Sequence, residues 1–599
     1  MRKLLIIFLT IISVSSVIAQ NDKRLKGIEK ELNKILVATK AVGFAVAVVE
    51  GDKIIYAKGF GYRDYENKIP VDANTLFAIG SSSKAFTSSL LGQLRHEKKL
   101  SFNDSPIKYI PELKFYNDEM NNNIIIKDLM THRTGLPRHD YSWYLFPSYD
   151  KDSLLQRVTY QEPFTGVRQQ WYYNNFMFLA QGVIAERITG KSWEYNIKER
   201  FFKPLGMTRS NVNIDELEKS SNAAFGYELK KDSIISKMDY YHIGAMSPAG
   251  SINSSVNDMS NWLIAWINNG KFNDQELIPQ AYVNEAISSQ MVVKGAIPDD
   301  EFPDMHLSNY GYAWFISSYR GHYRVEHGGN IDGFSANVAF FPSDSIGVVV
   351  LANQNGSAVP VLVRNTVADR MLKTQKTDWS KRFTERKRKA KKEKKEVTSE
   401  SRSAKIENTK TSHISLEYTG IYSHSGYGYF NISMENDSLF ANFKLKKFYL
   451  KHYHYDTFEP FEVTKTGIDT TDSGSLRFNF ITSDGGDISL VKIKVEAALD
   501  PIEFKRTPNS IDVDKATLES YVGDYELAGT PIKVYIKNEK TLYLFVTGQP
   551  EYELLATDKH KFSFKTLEGY KVEFVESDDK SINEVIIIQP NGTFKAKRK

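Results

Sequence analysis

The chain predicts an α/β (α+β) domain, one antiparallel sheet flanked by helices, followed by two small β-barrel-like domains. Three observations carry this expectation. β-rich runs open and close the first 373 residues with helical and loop segments between them. The C-terminal part consists of strand-like runs with alternating aromatics and few helical stretches. That part also repeats itself. A sheet completed by the two ends of a domain brings residues distant in sequence to one cleft.

Length and composition set the frame. At 599 residues the chain is too long for a single core, and 41% hydrophobic with 25% charged residues is an ordinary globular composition. Arg2 and Lys3, an apolar stretch from Leu4 to Val17, and Val17-Ile18-Ala19 before Gln20 have the pattern of a secretory signal, residues 1–19, cleaved after Ala19. No later segment is apolar for long enough to span a bilayer, so a soluble exported protein is expected, periplasmic or secreted. The absence of cysteine excludes disulfides, thiolate catalysis and a lipid-modified cysteine.

In chain order, Gly43 to Glu50 and Lys53 to Phe60 flank Gly51-Asp52, a hairpin signal. Helices and loops follow from Ser81 to about Asn269, punctuated at Gly135-Leu136-Pro137, Pro204-Leu205-Gly206 and Pro248-Ala249-Gly250. Tyr323 to His327, Ser335 to Phe341 and Ile346 to Asn353 are three more strands, with a turn over Asn330 to Phe334. An amphipathic helix from about Val359 to Leu372 closes the domain, residues 20–373. Residues 374–412 are a charged linker or exposed helix. Lys381 to Glu396 hold ten Lys/Arg and three Glu, an excess larger than the whole chain's +5, so the remainder is slightly acidic. The basic character is thus one solvated segment rather than a nucleic-acid or membrane arm. Neither a phosphate loop nor an aromatic and basic face occurs, and no nucleic-acid partner is expected.

Two modules follow, 413–508 and 513–599. Leu416-Glu417-Tyr418-Thr419-Gly420-Ile421-Tyr422 matches Leu518-Glu519-Ser520-Tyr521-Val522-Gly523-Asp524-Tyr525 with one inserted residue, and Phe504-Lys505-Arg506 is echoed by the Phe594 to Arg598 stretch. Units of this size with several short strands form small barrels or curled sheets. His452 and His454 share a strand face, but two ligands without a third make no metal site, and no metal or cofactor is expected.

Ser81 and Lys84 stand three apart at a helix start, so the amine reaches the hydroxyl and helps remove its proton. Ser105/Lys108 and Ser148/Lys151 share the spacing; context distinguishes Ser81, with Gly80 before it and Phe86, Leu90 and Leu94 marking a helix buried against a core. Two further motifs lie downstream: Tyr173-Asn174-Asn175, followed by Ala180-Gln181-Gly182 and Ile188-Thr189-Gly190, and His327-Gly328-Gly329 before Asn330. With these three in this order, residues 24 to 373 resemble the serine β-lactamase and penicillin-binding-protein superfamily, closest to class C β-lactamases and the related D-aminopeptidases and esterases.

The resemblance implies catalytic roles for Ser81, Lys84 and Tyr173. It implies substrate contacts for Asn175 and for His327, Gly328, Gly329 and Asn330. Tyr173 would share the work of general base with Lys84 and return the proton to the leaving group. Asn175 would donate to a substrate carbonyl, and the N–H groups of Ser81 and Asn330 would form the oxyanion hole. His132, in Thr131-His132-Arg133-Thr134-Gly135-Leu136-Pro137, shapes a turn near the cleft. Many members carry Lys-Thr-Gly where this chain has His327-Gly328-Gly329, and a mostly neutral histidine offers a substrate carboxylate no permanent cation.

The expected function is an exported serine hydrolase with an acyl-enzyme on Ser81, cleaving short peptides or amides, with D-residues or cell-wall-derived. A carboxylesterase or weak β-lactamase on the same serine is the second reading, and a non-catalytic envelope binding protein the third. The expected partner is thus a small peptide, amide or ester.

Overall fold

A computed structural model describes residues 22–294, 306–400, 405–465, 467–470, 476–567 and 569–599. The signal segment expected over residues 1–19 lies outside the described residues. Two compact units are present. The first contains residues up to Phe102 with Ala185–His242 and Ser247–Lys392; the second contains Asn103–Ile184, Ile243–Met246 and Glu393–Lys599.

The first unit is built on a nine-stranded antiparallel sheet. Its strands are β1 (Gly43–Glu50), β2 (Lys53–Asp64), β3 (Ile69–Pro70), β4 (Met291–Lys294), β5 (Ser308–Tyr310), β6 (Phe315–Tyr319), β7 (His322–Ile331), β8 (Phe334–Phe341) and β9 (Ile346–Ala352), in spatial order β4-β5-β6-β7-β8-β9-β1-β2-β3. The end strands therefore meet in the middle as the sequence implies, with Val46 opposite Val350 and Val48 opposite Val348.

Side-chain alternation sorts the two faces. Phe44, Val46, Val48, Val348 and Val350 join a core with Ile28, Leu32 and Ile35 of α1 (Ile28–Thr39). Gly347 has the opposite parity; a Cβ there would meet Leu263 at 2.8 Å and Ile267 at 3.0 Å, both on a helix over the other face. Helix α2 (Lys84–His96) belongs to this unit; α3 (Phe176–Thr189) starts in the second, and α4 (Val256–Ile267) is the helix over Gly347.

Three local expectations are refined. β7 continues through Ile331, with Asn330 paired to Ser335, so the turn shrinks to Asp332-Gly333, and Gly333 takes the positive φ of +81° that a tight reversal needs. The closing helix α5 (Val359–Met371) is buried nearly all round instead of amphipathic, because its polar residues face an internal network. Arg364 pairs with Glu326, and Asp369 accepts from Tyr319 Oη at 2.6 Å and Trp379 Nε1 at 2.8 Å. The basic segment is a helix, α6 (Trp379–Glu400), anchored by buried Trp379 and mostly exposed from Lys381 to Glu393.

In the second unit both C-terminal modules are eight-stranded barrels. In the first, strands from Gly420–His424 to Ile502–Thr507 close through pairing of Lys447–His454 with Thr457–Thr464, and a short strand, Gly467–Ile468, hangs on the outside. The second runs from Gly523–Leu527 to Gly592–Arg598 and closes between those two strands. The repeat is structural: Tyr422 Oη donates to Tyr418 O at 2.8 Å, and Tyr525 Oη to Tyr521 O at 2.9 Å. Arg506 Nε donates to Thr419 O at 2.8 Å, and Arg598 donates to Val522 O. Because Arg598 is the counterpart of Arg506, opposite Tyr525 as Arg506 is opposite Tyr422, Ala596 takes the place of Phe504, and Phe594 is not its counterpart.

Among the described residues no helix is long and apolar enough to cross a membrane, and no group of three or more acidic, His or Cys side chains could hold a metal ion.

Candidate active site

The expected site residues divide between the units: Ser81, Lys84 and His327 to Asn330 in the first, Tyr173 and Asn175 in the second. In the first, Phe77–Ala78 pairs with Asn253–Ser254 and delivers the chain to Gly80, whose φ of +49° turns it into one 3-10 turn, Gly80–Ser83. Ser81 therefore lies in this tighter turn just ahead of the α-helix. Side chains three apart eclipse in a 3-10 turn, which suits the pairing. Lys84 Nζ donates to Ser81 Oγ at 2.9 Å and to Ala249 O at 2.7 Å. Lys84 is fully buried, whereas Ser81 keeps partial exposure.

The Ser247–Gly250 turn that supplies the Ala249 carbonyl is itself fastened to the helix. Thr87 Oγ1 donates to Pro248 O at 2.7 Å and accepts from Trp193 Nε1 at 3.0 Å, while Ser83 Oγ accepts from Ile252 N at 3.1 Å. Phe86 stacks on Trp262 at 3.9 Å beneath this layer.

Strand β7 lies against the Gly80–Ser83 turn. A Cβ at Gly329 would fall 1.9 Å from Ile79 O and 3.1 Å from Ser81 N, so only glycine lets the strand approach this closely. Gly328 has room, its nearest neighbour being Ala336 O at 3.4 Å. Ser82 Oγ donates to His327 O at 3.3 Å across the same contact. Asn330 Oδ1 accepts from Ser335 Oγ at 2.9 Å and Gly356 N at 2.8 Å, fixing the end of the strand.

His327 is 2% exposed. Its Nδ1 lies 2.6 Å from Gly328 O, which accepts only, so Nδ1 carries the proton and Nε2 accepts from Tyr310 Oη at 3.0 Å. Complete burial, reinforced by the charge of Lys84, pushes its pKa down to about 3. The imidazole is neutral and enclosed, so the ring itself presents no charge to its surroundings.

In the second unit, Tyr173 to Asn175 form the loop that starts α3. His132, held at a φ of +55°, packs its ring 4.2 Å from that of Tyr173, and its Nδ1 accepts from Asn174 N at 3.2 Å. These contacts brace the loop. The Arg138 guanidinium sits 4.8 Å from the Tyr173 ring centre. Asn174 Nδ2 donates to Pro137 O at 2.6 Å, and Asn175 Nδ2 to Asp140 Oδ1 at 2.8 Å. Asp140 is also bound by Arg138 Nε at 2.5 Å and Trp143 Nε1 at 2.9 Å.

Three of these groups escape sequence reasoning. The Ala249 carbonyl has no side-chain signature at all. Arg138 and Asp140 directly follow a Gly-Leu-Pro turn, and only the charged pair around His139 hints at them.

A family model described as Beta-lactamase matches residues 25–372, more than half of the chain. The chain belongs to the Beta-lactamase family. A second model, "Domain of unknown function (DUF3471)", matches residues 404–506, which cover the first barrel up to Arg506, near the end of its last strand, Ile502–Thr507. Among curated relatives in this family's range, Protein flp of Staphylococcus aureus is 27% identical over 327 residues, covering 54% of this chain and 62% of the relative. Unguisins hydrolase ungD' of Aspergillus campestris is 29% identical over 368 residues, 58% of this chain and 66% of the relative. The chain thus spans about three fifths of the length of the staphylococcal relative. Among solved structures, the octameric penicillin-binding protein homologue from Pyrococcus abyssi aligns with a TM-score of 0.54 at 20% identity, covering 80% of this chain and 100% of that one. It shares the fold.

Proposed function

We propose that this chain is an exported serine hydrolase that forms an acyl-enzyme on Ser81. The observation that carries the reading is the hydrogen bond between Lys84 and Ser81 in a member of the Beta-lactamase family. The proton of the Ser81 hydroxyl passes to the Lys84 and Tyr173 pair as Oγ bonds to the substrate carbonyl carbon. Negative charge then collects on the carbonyl oxygen, where the amides of Ser81 and Asn330 donate to it. The proton moves on to the leaving amine or alkoxide as the scissile bond breaks. Water, activated by the same pair, attacks the ester and restores the serine.

Short peptides or amides, with D-residues or derived from cell wall, are the proposed substrates. The unguisins hydrolase among the relatives supports a hydrolase. The neutral His327 disfavours substrates that depend on a cation for their carboxylate, which favours amides and esters over β-lactams. The Met1 to Ala19 stretch supports export.

A fluorophosphonate probe tests the reading. Mass spectrometry should find the adduct on Ser81, absent in Ser81→Ala and strongly reduced in Lys84→Ala and Tyr173→Phe. A panel of D-amino-acid amides, p-nitrophenyl esters and nitrocefin then ranks substrates, amides first. A folded protein that takes no label would instead favour a binding role.

A further inference from the structure

The first β-barrel is fastened to the segment that carries the Tyr173 and Asn175 supports, and it is fastened there by buried polar groups as well as by apolar packing. All the groups involved lie in the second unit.

The apolar part comes from Leu145 and Phe146. Both belong to the barrel's own core cluster although they lie far upstream of it in sequence. The Phe146 ring stands 5.3 Å from Phe443 and stacks on Phe504 at 5.9 Å. Gly428 spares room for it, since a Cβ there would come within 3.1 Å of the Phe146 side chain. Ser142 Oγ donates to Gly426 O at 2.7 Å along the same seam.

The polar part converges on His139. Its amide donates to Glu496 Oε2 at 2.8 Å, and Glu496 is buried. Its Nε2 lies 3.0 Å from Glu162 O, an acceptor, so Nε2 bears the proton and Nδ1 accepts from Tyr427 Oη at 2.9 Å. Glu496 and Tyr427 are barrel residues. His139 is held at a φ of +48°, a left-handed conformation that a β-carbon disfavours and that persists only where surroundings over-determine it.

The residues on either side of His139 are the two that brace the catalytic loop. Arg138 lies on the face of Tyr173, and Asp140 accepts from Asn175. Backbone direction at His139 sets where both side chains point. We propose that Glu496 and Tyr427 of the first barrel are positioning residues for the active site: by fixing His139 they place Arg138 and Asp140, and through these Tyr173 and Asn175. The barrel is thereby a working part of the hydrolase rather than an appendage. This inference rests on the hydrolase reading above.

The test uses the full chain. Fluorophosphonate titration counts competent Ser81 sites, and kcat and KM are measured on a p-nitrophenyl ester or D-amino-acid amide that wild type turns over. Glu496→Ala should lower kcat per titrated site by about tenfold with KM changed by less than about twofold, the scale of a small misplacement of catalytic groups. Glu496→Gln, whose amide oxygen still accepts from the His139 amide, should recover most of that loss. Tyr427→Phe should lower kcat by about threefold. In an Asn175→Ala background, Glu496→Ala should add less than about twofold, since the two act along one path.

A purely architectural barrel gives a different pattern: lower thermal stability and fewer titratable sites, but kcat per site within about twofold of wild type and full additivity with Asn175→Ala. That pattern overturns the proposal. If Glu496→Ala does not fold, Tyr427→Phe decides by the same criterion, an unchanged kcat per site counting against the proposal. Wild type that neither labels nor turns over substrate sinks the hydrolase reading and this inference together, whereas labelled, active variants with wild-type kcat sink the inference alone.

Discussion

Lys84 Nζ lies 2.9 Å from Ser81 Oγ while a second contact, at 2.7 Å, ties it to the carbonyl oxygen of Ala249. A carbonyl accepts only, so one N–H of Lys84 is committed to Ala249 in any protonation state. In the neutral amine the lone pair can then turn towards the serine hydroxyl. A neutral amine so held could accept the serine proton, as the proposed mechanism requires, whereas a charged one would act only as a nearby cation.

Lys84→Arg separates those two roles. Arginine keeps the positive charge but does not deprotonate in proteins, so it cannot accept the serine proton. Ser81 labelling should slow by about 10²-fold to 10⁴-fold, the usual contribution of a general base. Measured labelling rates within threefold of wild type would mean that charge alone activates Ser81.

The two glycines of His327-Gly328-Gly329 differ in what they tolerate. An added methyl at Gly329 must displace Ile79 O, 1.9 Å away, whereas at Gly328 it meets nothing closer than 3.4 Å. Gly329→Ala should cost about 1–3 kcal/mol by urea unfolding, the usual scale of overpacking. Gly328→Ala should stay within about 1 kcal/mol by the same criterion. Equal losses would place the tight approach elsewhere than between Gly329 and the Gly80–Ser83 turn.

How far these features are legible in the sequence depends on range. The Gly51-Asp52 hairpin is local, and β1 and β2 meet as their alternation implies. The repeat is legible because Tyr418 with Tyr422, and Tyr521 with Tyr525, are close enough in sequence for the pattern to survive. The serine and lysine are legible because one helical turn joins them. Asp140 and Asn175 are 35 residues apart, and His139 and Glu496 are 357 apart. Nothing local marks such pairs; they are created by the fold. The helix Val359–Met371 is a different case. Arg364 and Asp369 look like a solvent face, yet their charges are met inside by Glu326, Tyr319 and Trp379, so hydrophobic periodicity misjudges its exposure.

Acid sensitivity follows from the buried histidines. Burial lowers His327, to about 3, and also lowers His139 and His424 from an ordinary value of 6.5. Below pH 6.5 the unfolded chain binds protons that the folded chain refuses, so stability falls as pH drops from 6.5 towards 3. His327 and His139, both fully buried, each steepen the loss by up to about 1.4 kcal/mol per pH unit, and half-buried His424 by less. Urea unfolding at pH 7, 6 and 5 should show the decline, and His327→Gln should flatten it. The kcat/KM profile should show no titration from His327 between pH 5 and 8, since the ring is neutral throughout. A stability that does not change between pH 7 and 5 would contradict the buried neutral assignment.

The seam around Phe146 makes a prediction about stability that is independent of catalysis. Phe146 is buried among Phe443, Phe504 and Tyr427, yet it enters the barrel from a segment more than 250 residues upstream. Phe146→Ala removes a ring from a packed core and should destabilise by about 3–5 kcal/mol. Part of this belongs to the stacked pair with Phe504, whose rings lie 5.9 Å apart and 21° from parallel. A double-mutant cycle with Phe504→Ala should return a coupling of about 0.5–1.5 kcal/mol, as aromatic pairs do. The second barrel has Ala596 at the position of Phe504, so it lacks the aromatic partner that Phe146 stacks on. Ala596→Phe should therefore not create an equivalent site and should only overpack that core, at a cost of about 1–3 kcal/mol. Zero coupling between Phe146 and Phe504 would show that the segment merely rests on the first barrel, and the difference between Phe504 and Ala596 would then have no bearing on which barrel holds it.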